Sequence, residues 1–512
     1  MITISSSHLD SIDRASLLYK KLVAAHDGIT HKIATTWGPE AAVEAAIRLN
    51  WVDLPSTSRD LLPVLDALCA KFRGFKELVL CGMGGSSLAP EVIAKTFGKN
   101  IFILDSTDPH YISHALPENL SNTLVVVSSK SGSTIETASQ RAFFEAAFLQ
   151  QGATATEHMI FVTDPGSPLD IDVRNLGYTV INADPKVGGR FSALTAFGLV
   201  PAALMGVDTS VLLDHAEESL SMFLLNPQIV LDVAFLLSAV AGQFIGFSDA
   251  GSRVPGLSDW IEQLIAESTG KSQTGRLPIA AESVTSASVG GAFTISFAPS
   301  AADLVVEGDL GSHFIFWEWV TALVGAALAI DPFNQPNVTE AKEQTSALLA
   351  EWDGVLPELS ADAQDGVVEI FGVGNTLRAS LKNLIANTDA DGYIAIMAYL
   401  DRRDDAKLVE LRAILSEKSG RPVTFGWGPR FLHSTGQFHK GGQQNGSFLQ
   451  ITGISSQDFH IPGRSFGFKT LIMAQALGDG RALVSRKYPL LRFHLTNRSA
   501  GVDELLAAAR SL

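Results

Sequence analysis

Residues 76–97 read KELVLCGMGGSSLAPEVIAKTF. The stretch opens with a short apolar run, turns through the glycine-rich GMGGSS and ends in residues of helical character. A strand, a glycine turn and a helix in immediate succession form the repeating unit of a parallel sheet. This stretch therefore predicts a strand–helix unit, and it sets the pattern to look for in the rest of the chain.

The strand pattern recurs downstream of this unit. Four further runs are rich in β-branched or other apolar residues: NIFIL at 100–104, TLVVV at 123–127, MIFV at 159–162 and YTVI at 178–181. Most of them are followed by a turn and a helical pattern. Strands that alternate with helices predict a parallel sheet covered on both faces. We therefore expect an α/β fold made of parallel-sheet αβα sandwich lobes, two or three in the chain.

Changes of pattern divide the chain into four segments. We expect a helical N-terminal segment over 1–75, a first α/β domain over 76–190, a second α/β domain over 191–352 and a C-terminal α/β segment over 353–512. The second domain contains long apolar helices and the strand-like run AFTISF at 292–297. Residues 353–365 are rich in Pro, Ser, Ala and acidic residues, and they are the best linker candidate.

The composition limits the classes of function. The chain has 512 residues, 46% hydrophobic and 18% charged, and its 38 basic and 54 acidic residues give a net charge of −16. That balance argues against nucleic acid or an anionic membrane surface as the main partner, but a small phosphorylated molecule remains possible. The two cysteines are too few for a disulfide framework. Because no signal peptide or membrane span is recognisable, we expect a cytoplasmic protein without a membrane partner.

The loop Gly82–Ser87 lies between the first predicted strand and its helix. Glycines let the backbone approach a ligand closely, and the N–H groups of a helix N-terminus favour an anion. The spacing differs from the dinucleotide-binding G-x-G-x-x-G pattern, because Ser87 stands where the third glycine would be. A dinucleotide site is therefore disfavoured, whereas an ordinary strand–helix turn remains the alternative to an anion site.

The loop Ser128–Thr137, SSKSGSTIET, follows the strand predicted over 123–127. Its first seven residues contain five hydroxyls and one ammonium group just before a predicted helix. One alternative is a serine-rich loop that caps this helix, with Glu136 in its first turn. Capping requires only one hydroxyl, whereas a phosphate monoester binds many short donors. The loop therefore favours a phosphate-binding site, at the strand ends where open α/β sheets usually bind ligands.

GMGGSSLAP and SSKSGSTIET resemble two signature segments of the glucose-6-phosphate isomerase (phosphoglucose isomerase) family. Four other segments are also similar to that family: VGGRFS at 187–192, ESTGK at 267–271, PFNQPNV at 332–338 with Lys342, and LHSTGQ at 432–437. The six segments together are far more specific for that family than any one of them alone. The overall likeness is to the isomerase half of fused transaldolase–phosphoglucose isomerases. We expect no transaldolase here, since 75 leading residues are too few for a barrel of roughly 250.

The resemblance implies an aldose–ketose isomerase that interconverts glucose 6-phosphate and fructose 6-phosphate through ring opening and an enediol. It implies no cofactor and no metal. The implied catalytic residues are Glu267, His433, Lys342 and Arg190. The residues implied to bind substrate and phosphate are Gly85, Ser86, Ser129, Lys130, Ser131, Thr134, Glu136 and Gln335. On this net-negative chain, Lys130, Arg190, Lys342 and helix N-termini would have to supply the positive end of the site locally.

The residue types suit these roles, but each has an ordinary alternative. Glu267 shares a helical stripe with Trp260 and Leu264, so its carboxylate would be partly desolvated, as suits a base. A solvated glutamate in the last helical turn fits the periodicity equally well. Arg190 offers a fixed charge for an oxyanion, whereas a surface ion pair is the default for a lone arginine. Lys342 lies in TEAKEQ, which by itself reads as an exposed helix face.

Two histidines compete for the role of proton carrier in ring opening. An imidazole exchanges protons near neutral pH, and His433 lies in the family-like segment. His313 is the rival, but its neighbours Phe314, Phe316 and Trp317 indicate a packed core or capping histidine. His439 is close to His433 in the chain and reads otherwise as a loop residue.

Three features bear on how far the resemblance extends. In most of the family the histidine segment precedes the Gln–Lys segment, whereas here His433 follows Lys342, as in the fused branch. The family also implies a homodimer whose histidine comes from the partner subunit, and the changed order leaves either source open. Gly132 stands where the family commonly has a bulky residue. The alternative functions are isomerisation of another sugar phosphate, such as mannose 6-phosphate, and a non-catalytic sugar-phosphate-binding regulator.

Overall fold

A computed structural model describes residues 1–117 and 119–512. Its strands are β1 (Thr3–Ser5), β2 (Glu77–Gly82), β3 (Phe102–Leu104), β4 (Thr123–Ser128), β5 (Met159–Thr163), β6 (Thr179–Asn182), β7 (Phe244–Ser248), β8 (Leu277–Ala280), β9 (Phe293–Ser296), β10 (Leu304–Glu307), β11 (Ala363–Asp365), β12 (Val368–Phe371), β13 (Tyr393–Tyr399), β14 (Val423–Trp427), β15 (Gly446–Gly453) and β16 (Leu490–Leu495). They form three sheets.

The helices cover both faces of these sheets. They are α1 (Leu17–Thr30), α2 (Ala42–Arg48), α3 (Leu54–Thr57), α4 (Leu62–Lys71), α5 (Gly85–Thr96), α6 (Pro109–His114), α7 (Ile135–Gln150), α8 (Ala155–His158), α9 (Pro168–Asn175), α10 (Ala196–Leu204), α11 (Thr209–Leu225), α12 (Gln228–Phe235), α13 (Leu257–Thr269), α14 (Val284–Ala287), α15 (Leu310–Leu328), α16 (Val338–Glu351), α17 (Leu377–Ala386), α18 (Glu410–Ser419), α19 (Gly436–Gly441), α20 (Phe468–Ser485) and α21 (Arg498–Arg510).

The first sheet has the order β3-β2-β4-β5-β6, and all its neighbouring strands are parallel. The central strand β4, with sequence TLVVVS, is buried along its whole length. Strands buried on both faces need apolar residues at successive positions rather than an alternating pattern. The predicted α/β class with parallel-sheet lobes is therefore confirmed, and the β-branched runs mark the strands of this sheet.

The second sheet has the order β1-β10-β9-β7-β8. Its strands are parallel except for β1, which pairs antiparallel with β10 through Ile4 and Val306. The segment 1–75, expected to be helical, thus also contains a short strand at its start, Thr3–Ser5. Three residues are too few to show the alternating pattern of a strand. This strand forms because the otherwise unpaired edge of β10 offers its backbone groups to residues 3–5.

The third sheet has the order β11-β12-β16-β15-β13-β14, with β11 and β12 antiparallel to their neighbours. The linker candidate 353–365 ends in β11, so its last residues belong to this sheet. The proposed domain boundaries at 75, 190 and 352 stay a prediction. Within the described residues, no single helix is long and apolar enough to cross a membrane, although Thr209–Leu225 and Gln228–Val240 together reach that length and composition across an 84° bend.

Apolar packing joins the third sheet to the first. Phe468, at the start of α20, is fully buried and makes an edge-to-face contact with Phe143 of α7, with ring centroids 5.7 Å apart. Phe459 also contacts Phe143, at 5.3 Å. Because α7 covers the first sheet and α20 packs against the third, this aromatic cluster fixes how the two sheets sit together.

We expect Phe468→Ala to destabilise the protein by roughly 3–5 kcal/mol, because it removes a buried ring and leaves a cavity. The measurement is the shift of the denaturant midpoint, followed by circular dichroism. Leu149→Ala is the control, since Leu149 lies on α7 with 77% of its side chain exposed; its effect should stay within about 0.5 kcal/mol. Equal effects of the two substitutions would contradict the proposed packing.

Candidate functional site

The glycine loop and the serine loop lie side by side at one edge of the first sheet. The glycine loop leaves the end of β2 and the serine loop leaves the end of β4, and Gly82 is in register with Ser128. Both loops lead into helices, α5 and α7. The carboxyl ends of parallel strands are where open α/β sheets bind ligands, so the expected position of the site is supported by the topology.

Two glycines let the first loop touch three other segments. Gly84 has φ +55°, and a β-carbon there would lie 2.8 Å from Gln263 Nε2 and 2.9 Å from the carbonyl oxygen of His433. A β-carbon on Gly85 would overlap the carbonyl oxygen of Gly189. Gly85 and half-buried Ser86 form the first turn of α5. Any larger residue would therefore push the loop away from its neighbours.

The hydroxyls of the second loop are not used to cap its helix. Within the described residues, Thr134 is the N-cap residue of α7 and makes no side-chain capping hydrogen bond. Ser129 Oγ accepts a hydrogen bond from the backbone N–H of Gly132 at 3.1 Å. Ser131 and Ser133 are exposed, with their Oγ atoms 2.7 Å apart. The helix-capping alternative therefore does not account for this cluster of hydroxyls.

Gly132 is required by the shape of this loop. Its φ is +78°, in the left-handed region that L side chains rarely adopt. A β-carbon would in addition overlap the side chain of Leu169, at the start of α9. Glycine at this position therefore permits the close approach of α9 to the loop.

The two lysines of the site differ in their surroundings. Lys130 Nζ lies 2.6 Å from Asp164 Oδ2 and donates to the carbonyl oxygen of Pro185 at 3.2 Å. Burial lowers the pKa of Lys130, and Asp164 opposes that effect. Asp164 therefore balances the charge of Lys130, one of the groups expected to supply the positive end of the site. Lys342 is exposed on α16, and its positive charge acts on the carboxylate of Glu136.

Glu136 and His433 form the contact that joins the serine loop to the histidine segment. Glu136 lies in the first turn of α7, is buried, and has its Oε1 3.0 Å from His433 Nε2. Burial acts to raise the pKa of the Glu136 carboxyl, but the charge and hydrogen bond of His433, aided by Lys342, outweigh it and hold that pKa below its ordinary value. This contact engages Nε2, so proton exchange with a ligand would use Nδ1.

Two further side chains hold Glu136 in place. Gln475 of α20 donates from Nε2 to Glu136 Oε1 at 2.8 Å, and Thr107 donates to Gln475 Oε1 at 2.5 Å. Neither residue was predicted from the sequence. No local signal could have revealed Gln475, because 339 positions separate it from Glu136.

Glu267 and Arg190 form the second charged contact of the site. Glu267 Oε1 lies 3.2 Å from Arg190 Nη1, and Glu267 Oε2 accepts a hydrogen bond from Gln263 Nε2 at 3.1 Å. The same Gln263 amide donates to the carbonyl oxygen of His433 at 2.8 Å. Gln263 was also missed, although its place one turn before Glu267 on α13 was a usable signal. Its amide connects the two charged contacts.

Arg190 is held rigidly by its remaining donors. Its Nε donates to Ser268 Oγ at 2.9 Å, and its Nη1 donates to Gln335 Oε1 at 3.0 Å. Its Nη2 donates to the carbonyl oxygens of Pro332 at 2.5 Å and Asn334 at 2.9 Å. The guanidinium is buried, and burial lowers its pKa. The alternative of a surface ion pair is therefore wrong, because the charge is fixed inside the protein.

Gln437 connects the last two family-like segments. Its Oε1 accepts from the backbone N–H of Asn337 at 3.0 Å, while its Nε2 donates to Asn337 Oδ1 and to the carbonyl oxygen of Gly270, both at 2.9 Å. The segments ESTGK, PFNQPNV and LHSTGQ therefore meet at the side-chain amide of Gln437. Its role was not predicted, although the residue ends the segment LHSTGQ.

The rival histidines lie away from these contacts. His313 is fully buried in α15, and burial lowers the pKa of its ring to about 3. The prediction of a core histidine is confirmed. His439 is buried in α19, where it stacks on Tyr393 and shares a 3.0 Å hydrogen bond with the Tyr393 hydroxyl. It is therefore a packed residue, not a loop residue.

The site places two carboxylates, an imidazole and a guanidinium beside two loops suited to an anion. The Glu267 carboxylate can take up and return a proton next to the fixed charge of Arg190. The His433 ring can exchange a proton at a second point, oriented by Glu136. The arrangement therefore suits proton transfers on a small anionic molecule.

Comparisons with known proteins point to one family. Residues 67–288, fewer than half of the chain, match the family described as phosphoglucose isomerase. The glucose-6-phosphate isomerase of Synechococcus sp. (strain JA-3-3Ab) is 34% identical over 215 residues, covering 39% of this chain and 40% of that protein. The glucose-6-phosphate isomerase of Campylobacter jejuni subsp. jejuni is 33% identical over 221 residues, covering 40% of this chain and 54% of that protein.

Among solved structures, a glucose-6-phosphate isomerase from Chlamydia trachomatis D/UW-3/Cx matches with a TM-score of 0.55 and 20% identity, covering 68% of this chain and 88% of that chain. At this identity the match supports the fold alone. The chain spans about half the length, or less, of the curated relatives described above. The family match includes Arg190 and Glu267 but ends before Gln335, Lys342 and His433.

We expect Gly132→Ala to destabilise the protein more than Gly152→Ala. Both glycines have positive φ, +78° and +72°, but a β-carbon on Gly152 meets no atom of the described residues within 4 Å. Gly152→Ala should therefore cost only the backbone strain, about 1–2 kcal/mol. Gly132→Ala should cost this plus roughly 1–3 kcal/mol for the overlap with Leu169. Denaturant unfolding of both variants measures the difference, and equal losses would show that the loop does not pack on α9 as described.

Proposed function

We propose that the chain is a glucose-6-phosphate isomerase that interconverts D-glucose 6-phosphate and D-fructose 6-phosphate. The observation that carries the proposal is that all six family-like segments meet around the Glu136–His433 and Glu267–Arg190 contacts. The Gln–Lys segment reaches Arg190 through Gln335, and the glycine loop packs closely against His433 and Gly189. The similarity of residues 67–288 to the phosphoglucose isomerase family supports it. A protein that only bound sugar phosphates would not need these two acid–base groups together.

The phosphate group of the substrate would bind between the two loops. The hydroxyls of Ser129, Ser131 and Thr134, with the backbone N–H groups at the start of α7, would bind its oxygens. Gly85 and Ser86 at the start of α5, together with Gln335, would contact the sugar. Lys130 would act here through the backbone of the loop, since its ammonium group is paired with Asp164.

Ring opening would use His433. The ring oxygen of the cyclic sugar has to gain a proton while the anomeric hydroxyl loses one. The imidazole can supply one of these transfers, held in orientation by Glu136 at 3.0 Å. Lys342, whose positive charge acts on Glu136, is the further cation for this step.

Isomerisation of the open chain would use Glu267. Its carboxylate removes the proton from C2 of the aldose, and the freed electron pair forms the C1–C2 double bond while the carbonyl pair moves to O1, which takes up a proton to give the enediol. The O2 hydroxyl then loses its proton as the C2 carbonyl forms, and the carboxylic acid returns its proton to C1 to give the ketose. Negative charge develops on the substrate oxygens in this step. The guanidinium of Arg190, fixed 3.2 Å from Glu267, would stabilise that charge without needing to reorganise.

We also propose that His433 serves the site of its own chain. The support is the contact between His433 and Glu136 within one chain, and the late position of the histidine segment agrees with it. The same segment order supports a likeness to the isomerase half of fused transaldolase–phosphoglucose isomerases. A homodimer, as the family resemblance implies, is compatible with a site completed in this way.

We expect Glu267→Gln to reduce turnover by roughly 10²–10⁴-fold, because the amide keeps the shape of the side chain but cannot act as a base. The assay supplies fructose 6-phosphate and follows the appearance of glucose 6-phosphate through an NADP-dependent dehydrogenase, with and without EDTA. Turnover by the unmodified chain is expected in both conditions. The matched control is Glu351→Gln, an exposed residue at the end of α16, with unchanged turnover expected. Full activity of Glu267→Gln would refute the assignment of the base. If the unmodified chain bound the sugar phosphate without turning it over, it would instead be a regulator.

We expect His433→Ala to lower kcat on the cyclic substrate by roughly 10²-fold or more, since ring opening loses its proton carrier. His313→Ala should instead lower the midpoint of thermal unfolding and leave the kcat of the folded protein unchanged, because His313 lies in the core. Thermal melts and initial rates of both variants separate the two effects. The opposite pattern would assign the role to His313.

A further inference from the structure

A histidine and two aspartates lie together away from the residues of the proposed sugar site. His114 ends α6 beside the first sheet, and Asp401 and Asp404 lie after β13 in the third sheet. His114 Nε2 is 3.1 Å from Asp401 Oδ2 and 3.2 Å from Asp404 Oδ2. The three ligand atoms all lie within 4.8 Å of one another.

The buried carboxylate of this cluster is only half satisfied. The side chain of Asp401 has no exposed surface. Its Oδ1 accepts hydrogen bonds from the backbone N–H groups of Arg403 at 2.8 Å and Asp404 at 3.3 Å. Its Oδ2 accepts no hydrogen bond from any described residue, although it faces the His114 ring. A buried carboxylate oxygen without a donor is costly unless a cation meets it.

The arginines around this cluster are engaged by other groups. Arg498 lies 2.6 Å from Asp108 Oδ2 and 3.3 Å from Asp405 Oδ2. Arg402 lies 3.1 Å from Glu91 Oε1 and donates to the hydroxyl of Tyr111 at 2.7 Å. These guanidinium groups therefore do not satisfy Asp401 Oδ2.

We propose that His114, Asp401 and Asp404 bind a divalent transition-metal ion. An ion with bonds of about 2.1 Å holds adjacent ligands roughly 3.0–3.4 Å apart in octahedral or tetrahedral geometry, and the two separations at His114 Nε2 fall in this range. One imidazole with two carboxylates suits zinc, manganese or iron. The backbone N–H groups that donate to Asp401 Oδ1 hold the carboxylate so that its other oxygen points at the ion. Metal ligands are commonly oriented by hydrogen bonds of this kind.

The exposure of the three residues gives the ion a route in and room for water. The side chain of His114 is 30% exposed and that of Asp404 is 58% exposed, while Asp401 closes the inner side. Water molecules can therefore complete the coordination from the solvent side. Because the ligands come from α6 and from the segment after β13, the ion would clamp the third sheet against the first. It would stabilise the fold and take no part in the proposed isomerisation.

The test uses the full chain after dialysis against EDTA and its removal, with Zn²⁺ alone as the titrant. Isothermal titration calorimetry should show one Zn²⁺ per chain, and Zn²⁺ should raise the thermal unfolding temperature. Asp404→Asn should weaken binding by at least roughly 10–100-fold, the loss that even a supporting partner of a metal ligand causes. The exposure of Asp404 makes this variant expected to fold. His114→Gln should weaken Zn²⁺ binding in the same way. Co²⁺ bound to the unmodified chain should show visible absorption bands, and His114→Gln should lose them.

Asp503→Asn is the matched control, because Asp503 is also an aspartate with 58% of its side chain exposed. It should bind Zn²⁺ as the unmodified chain does. The proposal is overturned if neither Zn²⁺ nor Co²⁺ binds stoichiometrically, or if Asp404→Asn and Asp503→Asn bind equally well. The cluster would then be an ion pair of His114 with two aspartates only. These readouts involve no sugar phosphate, so their failure would leave the proposed isomerase activity untouched.

Discussion

The contact between Glu136 and His433 is the constraint on which the arrangement of the site depends. It joins the first turn of α7, beside the first sheet, to the turn that follows β14 in the third sheet. A carboxylate buried this deeply is stable as an ion only with a charged or hydrogen-bonding partner. The third sheet supplies that partner and also Gln475 on α20. Docking of the third sheet therefore completes the candidate site as well as the aromatic core around Phe143.

Charge at the site is balanced pair by pair. Lys130 faces Asp164, Arg190 faces Glu267, and His433 faces Glu136. On a chain of net charge −16, the positive end that the proposed sugar phosphate would need is therefore not a cluster of free cations. It has to come from the N-termini of α5 and α7, the loop hydroxyls and exposed Lys342. Apart from Lys342, these are preorganised neutral donors, which add no charge that would disturb the ion pairs already in place.

Much of the fold and part of the site could be predicted from local patterns. The apolar runs located the strands of the first sheet to within about two residues, and the aromatic neighbours of His313 marked it as a core residue. The three-residue strand β1 and the pairing of Lys130 with Asp164 were not predictable in this way. A strand of three residues has no measurable period, and a lysine in a serine loop shows no sign of which carboxylate it will meet.

The sequence alone determined the α/β class, the glycine loop, the serine loop and the residue types of the candidate site, because these depend on periodicity, glycine placement and short-range spacing. The tertiary structure decided which groups meet. It placed Gln475 on Glu136, Gln263 between Glu267 and His433, and His114 beside Asp401 and Asp404. Gln475 and Glu136 lie on different helices, and His114 comes from a different part of the fold than the two aspartates. Gln263 shares a helix with Glu267, but it gains its connecting role only because His433 lies beside it. The partner of a buried charge is chosen by long-range packing, which leaves no trace in the residues beside it.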